Sequence, residues 1–257
     1  MPPPQGPPPM PNTPPPSRIL VAVPVYNEQK YIANVITKIA QYAPNDVLVI
    51  DDGSTDYTPM LLAMQPVDVI RHKTNLGYGR GIRDAFRWAQ TYGYEWLITM
   101  DCDEQHEPEA LPAFAAAIDA DDADVISGSR YLIETPGVPA PPPDRRKINH
   151  TITGWVNDKL GLNITDAFCG FKAYRVSKLD DLKLCVDGYA IPLQAWVQHA
   201  AASHRVKEIP IKLIYNDPNR SFGGPLDDAT QRLAHYRDVF NAEMAKRREE
   251  GAEGEGD

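Results

Sequence analysis

From Arg18 onward, short β-rich runs alternate with amphipathic helical stretches, and this alternation limits the possible folds more than any other feature of the chain. The runs 19–25, 47–50, 67–70, 96–100 and 125–127 are dense in Val, Ile and Leu. Between them, 28–42, 56–64, 78–92 and 107–119 carry apolar residues at three- and four-residue spacing, the period of a helix with one buried face. Strand–helix repetition of this kind predicts an α/β fold whose mostly parallel sheet is covered by helices on both faces. In such sheets ligands bind outside the carboxyl ends of the strands.

The acidic motifs of this half fall at those ends. The run Leu97-Ile98-Thr99-Met100 leads into Asp101-Cys102-Asp103-Glu104-Gln105. If the backbone stays extended, Asp101, Asp103 and Gln105 project to one side. Two carboxylates and an amide carbonyl suit a hard cation, Mg²⁺ or Mn²⁺, that keeps open positions for the oxygens of a diphosphate. Cys102 faces the other way and is expected to pack in the core. The other strand ends read Val23-Pro24-Val25-Tyr26-Asn27-Glu28 and Asp51-Asp52-Gly53-Ser54-Thr55-Asp56.

Composition narrows the partners. A formal charge of −9 argues against nucleic acid or an anionic membrane as a general electrostatic partner. No apolar run approaches the roughly 18 residues of a membrane span, so the chain reads as soluble or peripherally attached. Cys102, Cys169 and Cys185 show neither paired spacing nor a metal signature, which fits a reducing cytoplasm and three structural thiols.

Four segments follow from the pattern. Residues 1–17 are nearly all proline and small polar residues, a leader that cannot form a core. Residues 18–225 form the expected catalytic domain. Within it, prolines crowd 135–146 into a loop read as a mobile flap, followed by a helix near 147–160, a strand near 170–174, a helix near 191–202 and a strand near 206–214. Residues 226–248 form an amphipathic helix with Leu226, Leu233, Tyr236, Phe240 and Met244 on one face, expected to pack on the domain or on a second subunit as a homo-oligomer. An acidic tail, 249–257, closes the chain.

Together the three strand ends, with Asn75-Leu76-Gly77-Tyr78-Gly79-Arg80 and Gly128-Ser129-Arg130-Tyr131, resemble the family 2 glycosyltransferases of the GT-A fold. The resemblance continues through Asp166-Ala167-Phe168-Cys169-Gly170-Phe171-Lys172 to Arg220, and it is most similar to the dolichyl- and polyprenyl-phosphate sugar transferases. It implies a nucleoside-diphosphate sugar donor, an inverting transfer, and a lipid phosphate or another glycan as acceptor. Pro24, Tyr26 and Glu28 would then line the nucleoside pocket and Asp52 would hydrogen-bond the base. Asp101 would sit near the ribose and the metal, with Asp103 and Gln105 as metal ligands. Arg130 and Arg220 are candidates for clamping the diphosphate or an anionic acceptor, because guanidinium forks match phosphate oxygens. Asp166 is a candidate base or acceptor-positioning group. The rival from another class is a catalytically silent nucleotide-sugar-binding module.

Overall fold

The computed structural model describes residues 18–42, 46–102, 108–133, 142–212, 214 and 223–254. The expected leader and the core of the proline-rich flap lie outside these residues, as do Asp103, Gln105 and Arg220. In chain order the elements are β1 (Ile19–Val25), α1 (Ile32–Tyr42), β2 (Asp46–Asp51), α2 (Thr58–Leu62), β3 (Asp68–Arg71), α3 (Tyr78–Thr91) and β4 (Trp96–Thr99). They continue with α4 (Leu111–Asp119), β5 (Val125–Ser129), α5 (Pro143–Leu160), β6 (Lys172–Arg175), α6 (Ile191–Ala201), β7 (Val206–Pro210) and α7 (Ala229–Gly254).

The strands form one seven-stranded sheet in the order β3-β2-β1-β4-β6-β5-β7. Strand β6 runs antiparallel to β4 and β5, while the other paired neighbours are parallel. Period-two alternation divides the core between the two faces of this sheet. From β1, Val21, Val23 and Val25 pack against α1 and α4 through Ile32, Ile36 and Phe114. Leu20 and Ala22 point to the opposite face, where Phe86 of α3, Ile152 of α5, Trp196 of α6 and Phe240 of α7 close over them. Burial on both sides explains why the strands read as continuous apolar runs instead of alternating ones.

The boundaries depart from sequence expectation where local hydrogen bonds compete with helix. Helix α1 starts at Ile32 instead of Glu28 because 27–29 is tied to the loop after β2. Asn27, at φ 56°, accepts from the Thr55 amide at 2.8 Å, and the Gln29 amide donates to Asp56 at 3.1 Å. Helix α5 starts at Pro143, inside the stretch read as flap, since proline's fixed φ suits the first helical turn. Helix α7 begins at Ala229, with Leu226 in a preceding 3-10 turn, and it runs to Gly254, into the segment read as acidic tail. Its Tyr236 and Phe240 are buried against the domain, one of the two placements expected for them. Cys102 and Cys169 are buried as structural thiols should be. Cys185 is instead exposed, on an extended segment held through its backbone, its amide donating to Gln194 at 2.8 Å.

On α6, His199 is buried beneath the sheet, stacked on Tyr174, with its Nδ1 2.8 Å from Nδ1 of His204. Burial, and then the neighbouring His204 and Lys172, hold its imidazole down to about 3, with Asp124 and Asp181 opposing more weakly. The unfolded chain titrates this histidine near the ordinary 6.5, so below that value the unfolded state takes up a proton that the native state refuses. Stability from this site is therefore complete above about pH 6.5 and declines as pH falls, by on the order of 2 kcal/mol at about pH 5. The urea midpoint is expected to drop between about pH 7.5 and about pH 5, and to drop less in His199→Gln. Equal slopes in the two proteins would contradict this assignment.

Candidate active site

Parallel pairing brings the acidic strand ends together. Val25 lies beside Asp51 in the β1–β2 register and Ala22 beside Thr99 in the β1–β4 register, so Tyr26, Asp52 and Asp101 all emerge at one edge of the sheet. A cavity of about 530 Å³ opens there. Pro24, Tyr26, Glu28, Asp52, Asp101 and Arg130 all line it. Tyr26 is exposed at its rim, Glu28 and Asp52 are buried, and Asp101 is half-buried. Six of the sequence-derived site residues thus meet in one space, while Asp166 lies fully buried behind Arg130.

The part of the cavity lined by Asp52 and Gly77 is organised by the Asp52 carboxylate. Its Oδ1 accepts from the Leu76 amide and its Oδ2 from the Gly77 amide, each at 2.8 Å, and His72 Nδ1 stands 2.6 Å from Oδ1. The loop it anchors needs glycine. Gly77 has φ 101°, and a Cβ on either Gly77 or Gly79 would strike backbone carbonyls of the 186–187 segment. The Gly79 amide donates to the Asp187 carbonyl at 2.7 Å, which fixes the start of α3 against that segment.

At the end of β4, the Tyr78 hydroxyl donates to Asp101 Oδ1 at 3.1 Å. Burial, and then the adjacent Asp101 charge, push the Tyr78 hydroxyl well above its ordinary range, so it remains a donor. Gly170 makes room for this carboxylate: a Cβ there would lie 2.6 Å from Asp101 Oδ2 and 2.7 Å from Oδ1. The carboxylate at the cavity edge is a hard oxygen donor of the kind a divalent cation takes, so the described part of the D-x-D motif fits such an ion.

The opposite wall centres on a buried ion pair. Arg130, directly after β5, donates from Nε to Asp166 Oδ2 at 2.6 Å and from Nη2 to Oδ1 at 2.9 Å, a bidentate fork. Asn149 of α5 adds a hydrogen bond to Oδ1 at 2.7 Å. Burial alone would raise the Asp166 carboxyl, but the Arg130 guanidinium and the Asn149 amide outweigh it and hold the group at about 2. Asp166 is thereby an ionised orienting group for Arg130 and a poor proton acceptor.

Sequence reading missed several wall residues. Helix α5 supplies Arg145 and Ile148, α7 supplies Arg232 and Tyr236, and Tyr189 stacks on Tyr78 with ring centroids 5.6 Å apart. An arginine one turn before Tyr236, set in the apolar face of a helix, was the available signal for Arg232. Its guanidinium, 3% exposed, donates to Asp144 of α5 at 2.7 Å and joins the two helices beside the cavity.

The sheet order, the acidic strand ends and the cavity they share define an α/β fold with a candidate ligand site, and comparison with known proteins gives its family. The chain belongs to glycosyl transferase family 2, whose model matches residues 20–183. It is 30% identical over 232 residues to the undecaprenyl-phosphate mannosyltransferase of Micrococcus luteus, covering 85% of this chain and 93% of that protein. It is 34% identical over 209 residues to the polyprenol monophosphomannose synthase of Mycolicibacterium smegmatis, covering 77% of each. Among solved structures, glucosyl-3-phosphoglycerate synthase from Mycobacterium tuberculosis, in complex with Mn²⁺, UDP and phosphoglyceric acid, aligns with a TM-score of 0.65 at 16% identity. That alignment covers 89% of this chain and 78% of that one, and it shows the shared GT-A fold.

Removing one partner of the Arg130–Asp166 pair leaves a buried charge uncompensated. Asp166→Asn is expected to lower unfolding free energy by about 3 kcal/mol or more in urea titrations. A loss under about 1 kcal/mol would show that solvent reaches Arg130 and that the pair does not organise this wall.

Proposed function

We propose that this family 2 glycosyltransferase moves a sugar, with inversion, from a nucleoside-diphosphate donor to a polyprenyl-phosphate acceptor in a reaction that depends on Mg²⁺ or Mn²⁺. The observation that carries this reading is the convergence of Asp52, Asp101 and Arg130 on one cavity. Acids able to bind a nucleoside and a cation face a guanidinium able to bind an anion.

In this reading the nucleoside lies against Pro24, Tyr26 and Glu28. A carboxylate has about four acceptor positions, and three on Asp52 are filled by Leu76, Gly77 and His72, which leaves one on Oδ2 for an N–H of the base. Asp101, with Asp103 and Gln105, would hold the divalent cation. That ion, when bound, neutralises the charge that gathers on the departing diphosphate. Tyr78 and Gly170 keep the Asp101 carboxylate oriented toward that task.

The acceptor side supports a nucleophile that arrives already ionised. Asp166 is held at about 2 and its oxygens are filled by Arg130 and Asn149, so it does not serve as a general base. A phosphate oxygen needs no such base, whereas a sugar hydroxyl does. Arg130 and Arg145 line the cavity and offer guanidinium groups for the acceptor phosphate, a role the resemblance also suggests for Arg220, and Ile148, Phe168 and Tyr236 give the cavity apolar walls. A phosphate oxygen lone pair forms the new bond to the anomeric carbon as the bond to the diphosphate oxygen breaks, and the electron pair leaves with the nucleoside diphosphate. Attack opposite the leaving group inverts the centre. Among the described residues no helix is long and apolar enough to cross a membrane. The protein on this reading works peripherally at the cytoplasmic face, where a lipid acceptor presents its headgroup.

Incubation with UDP- and GDP-sugars, polyprenyl phosphate and Mn²⁺ is expected to yield a glycolipid from one donor. Asp103→Ala is expected to lower the rate about a hundredfold, and chelation to abolish it. A soluble glycan product with no lipid product would overturn the acceptor assignment. Metal-dependent donor binding without turnover on any acceptor would favour the silent binding module.

A further inference from the structure

His72 follows β3 and points back beneath the cavity, its side chain 7% exposed. Its Nδ1 is 2.6 Å from Asp52 Oδ1 and its Nε2 is 2.9 Å from Asp84 Oδ2 on α3. Each ring nitrogen meets a carboxylate oxygen, so the imidazole is clamped from two sides. Asp84 is itself gripped by Arg80 Nε at 2.8 Å and by Arg87 Nη1 at 3.4 Å. A continuous chain therefore runs from two arginines of α3 through Asp84 and His72 to Asp52. From Asp52 it passes on to the amides of Leu76 and Gly77 in the glycine loop. Asp52 and Gly77 line the cavity, whereas His72 and Asp84 stand behind them.

The plane of the Asp52 carboxylate is set from both oxygens. The Gly77 amide holds Oδ2, while the Leu76 amide and His72 hold Oδ1. Without the imidazole each oxygen keeps a single amide, and the carboxylate is held less tightly in the orientation that presents its remaining acceptor position to the cavity. Buried networks of this type amplify such a loss, because no water replaces the missing donor at low dielectric.

We propose that His72 is a positioning residue for donor recognition: clamped between Asp84 and Asp52, it aims the Asp52 carboxylate and the Leu76–Gly77 amides at the bound nucleoside. The inference rests on the cavity being the nucleotide site, and its test separates the two ideas. Titration calorimetry of the full chain with UDP, GDP, CDP and ADP in the presence of Mn²⁺ identifies the nucleotide bound by the wild type. His72→Phe is expected to weaken that binding about tenfold, the equivalent of one charge-assisted hydrogen bond. The same variant raises donor KM by a similar factor and leaves kcat nearly unchanged. His72→Asn, whose amide nitrogen can occupy the place of Nδ1, is expected to recover affinity to within about threefold of wild type. Unaltered binding in His72→Phe together with weakened binding in Asp52→Ala would overturn the role of His72 and leave the site intact. Unaltered binding in both variants, or no nucleotide bound by the wild type, would overturn the site assignment as well. A fall in kcat and unfolding midpoint without a change in affinity, unrelieved by His72→Asn, would reduce His72 to a packing residue.

Discussion

Parallel pairing of β1 with β2 and with β4 is the constraint on which the rest of the molecule depends. Parallel strands point their carboxyl ends the same way, so acids that follow each apolar run share one edge of the sheet without any further device. The cost of that arrangement is three clusters of negative charge in close quarters. The structure offsets it locally: Asp51 accepts from Ser54 and faces Arg71, Asp52 is filled by two amides and an imidazole, and Asp101 takes the Tyr78 hydroxyl. Each acid is thereby held in one orientation before any ligand arrives, and preorganisation of that kind lets a site stabilise developing charge without rearranging.

The second half of the site is assembled by the strand that breaks the parallel rule. Because β6 runs antiparallel between β4 and β5, the segment 165–171 that precedes it passes the same sheet edge in the opposite direction. This delivers Asp166 to Arg130 and Gly170 to Asp101. Helices α5 and α7 then close the space from outside, joined by the Arg232–Asp144 pair. The acidic half of the cavity and the half that carries Arg130 are thus built by different chain segments on one sheet edge.

Much of this was legible in the sequence, and the reasons are physical. Apolar runs ending in acid mark strand ends because burial on two faces demands continuous hydrophobicity and the carboxylates cannot enter that core. Pro24, Tyr26, Glu28, Asp52 and Asp101 could be placed together on that ground and by resemblance. Strand direction leaves no such trace: four residues, Lys172–Arg175, read alike whichever way they run. Pairings across long separations were equally hidden, among them Arg130 with Asp166, 36 positions apart, and Arg232 with Asp144, 88 apart. His72 escaped notice because a lone histidine after a strand is ordinary, and its meaning lies in two carboxylates from other elements. Local hydrogen bonds account for the later start of α1, since Asn27 accepts from the Thr55 amide and Asp56 from the Gln29 amide, which ties 27–29 to the loop after β2.

The central claim is that donor nucleotide occupies the edge where β1, β2 and β4 end. A crystal structure of the protein with Mn²⁺ and the nucleoside diphosphate it binds tests this most directly. The account places the base beside Asp52, the cation at Asp101 and the diphosphate between that cation and the wall carrying Arg130. Nucleotide seated anywhere else, or a cation bound away from Asp101, would contradict it.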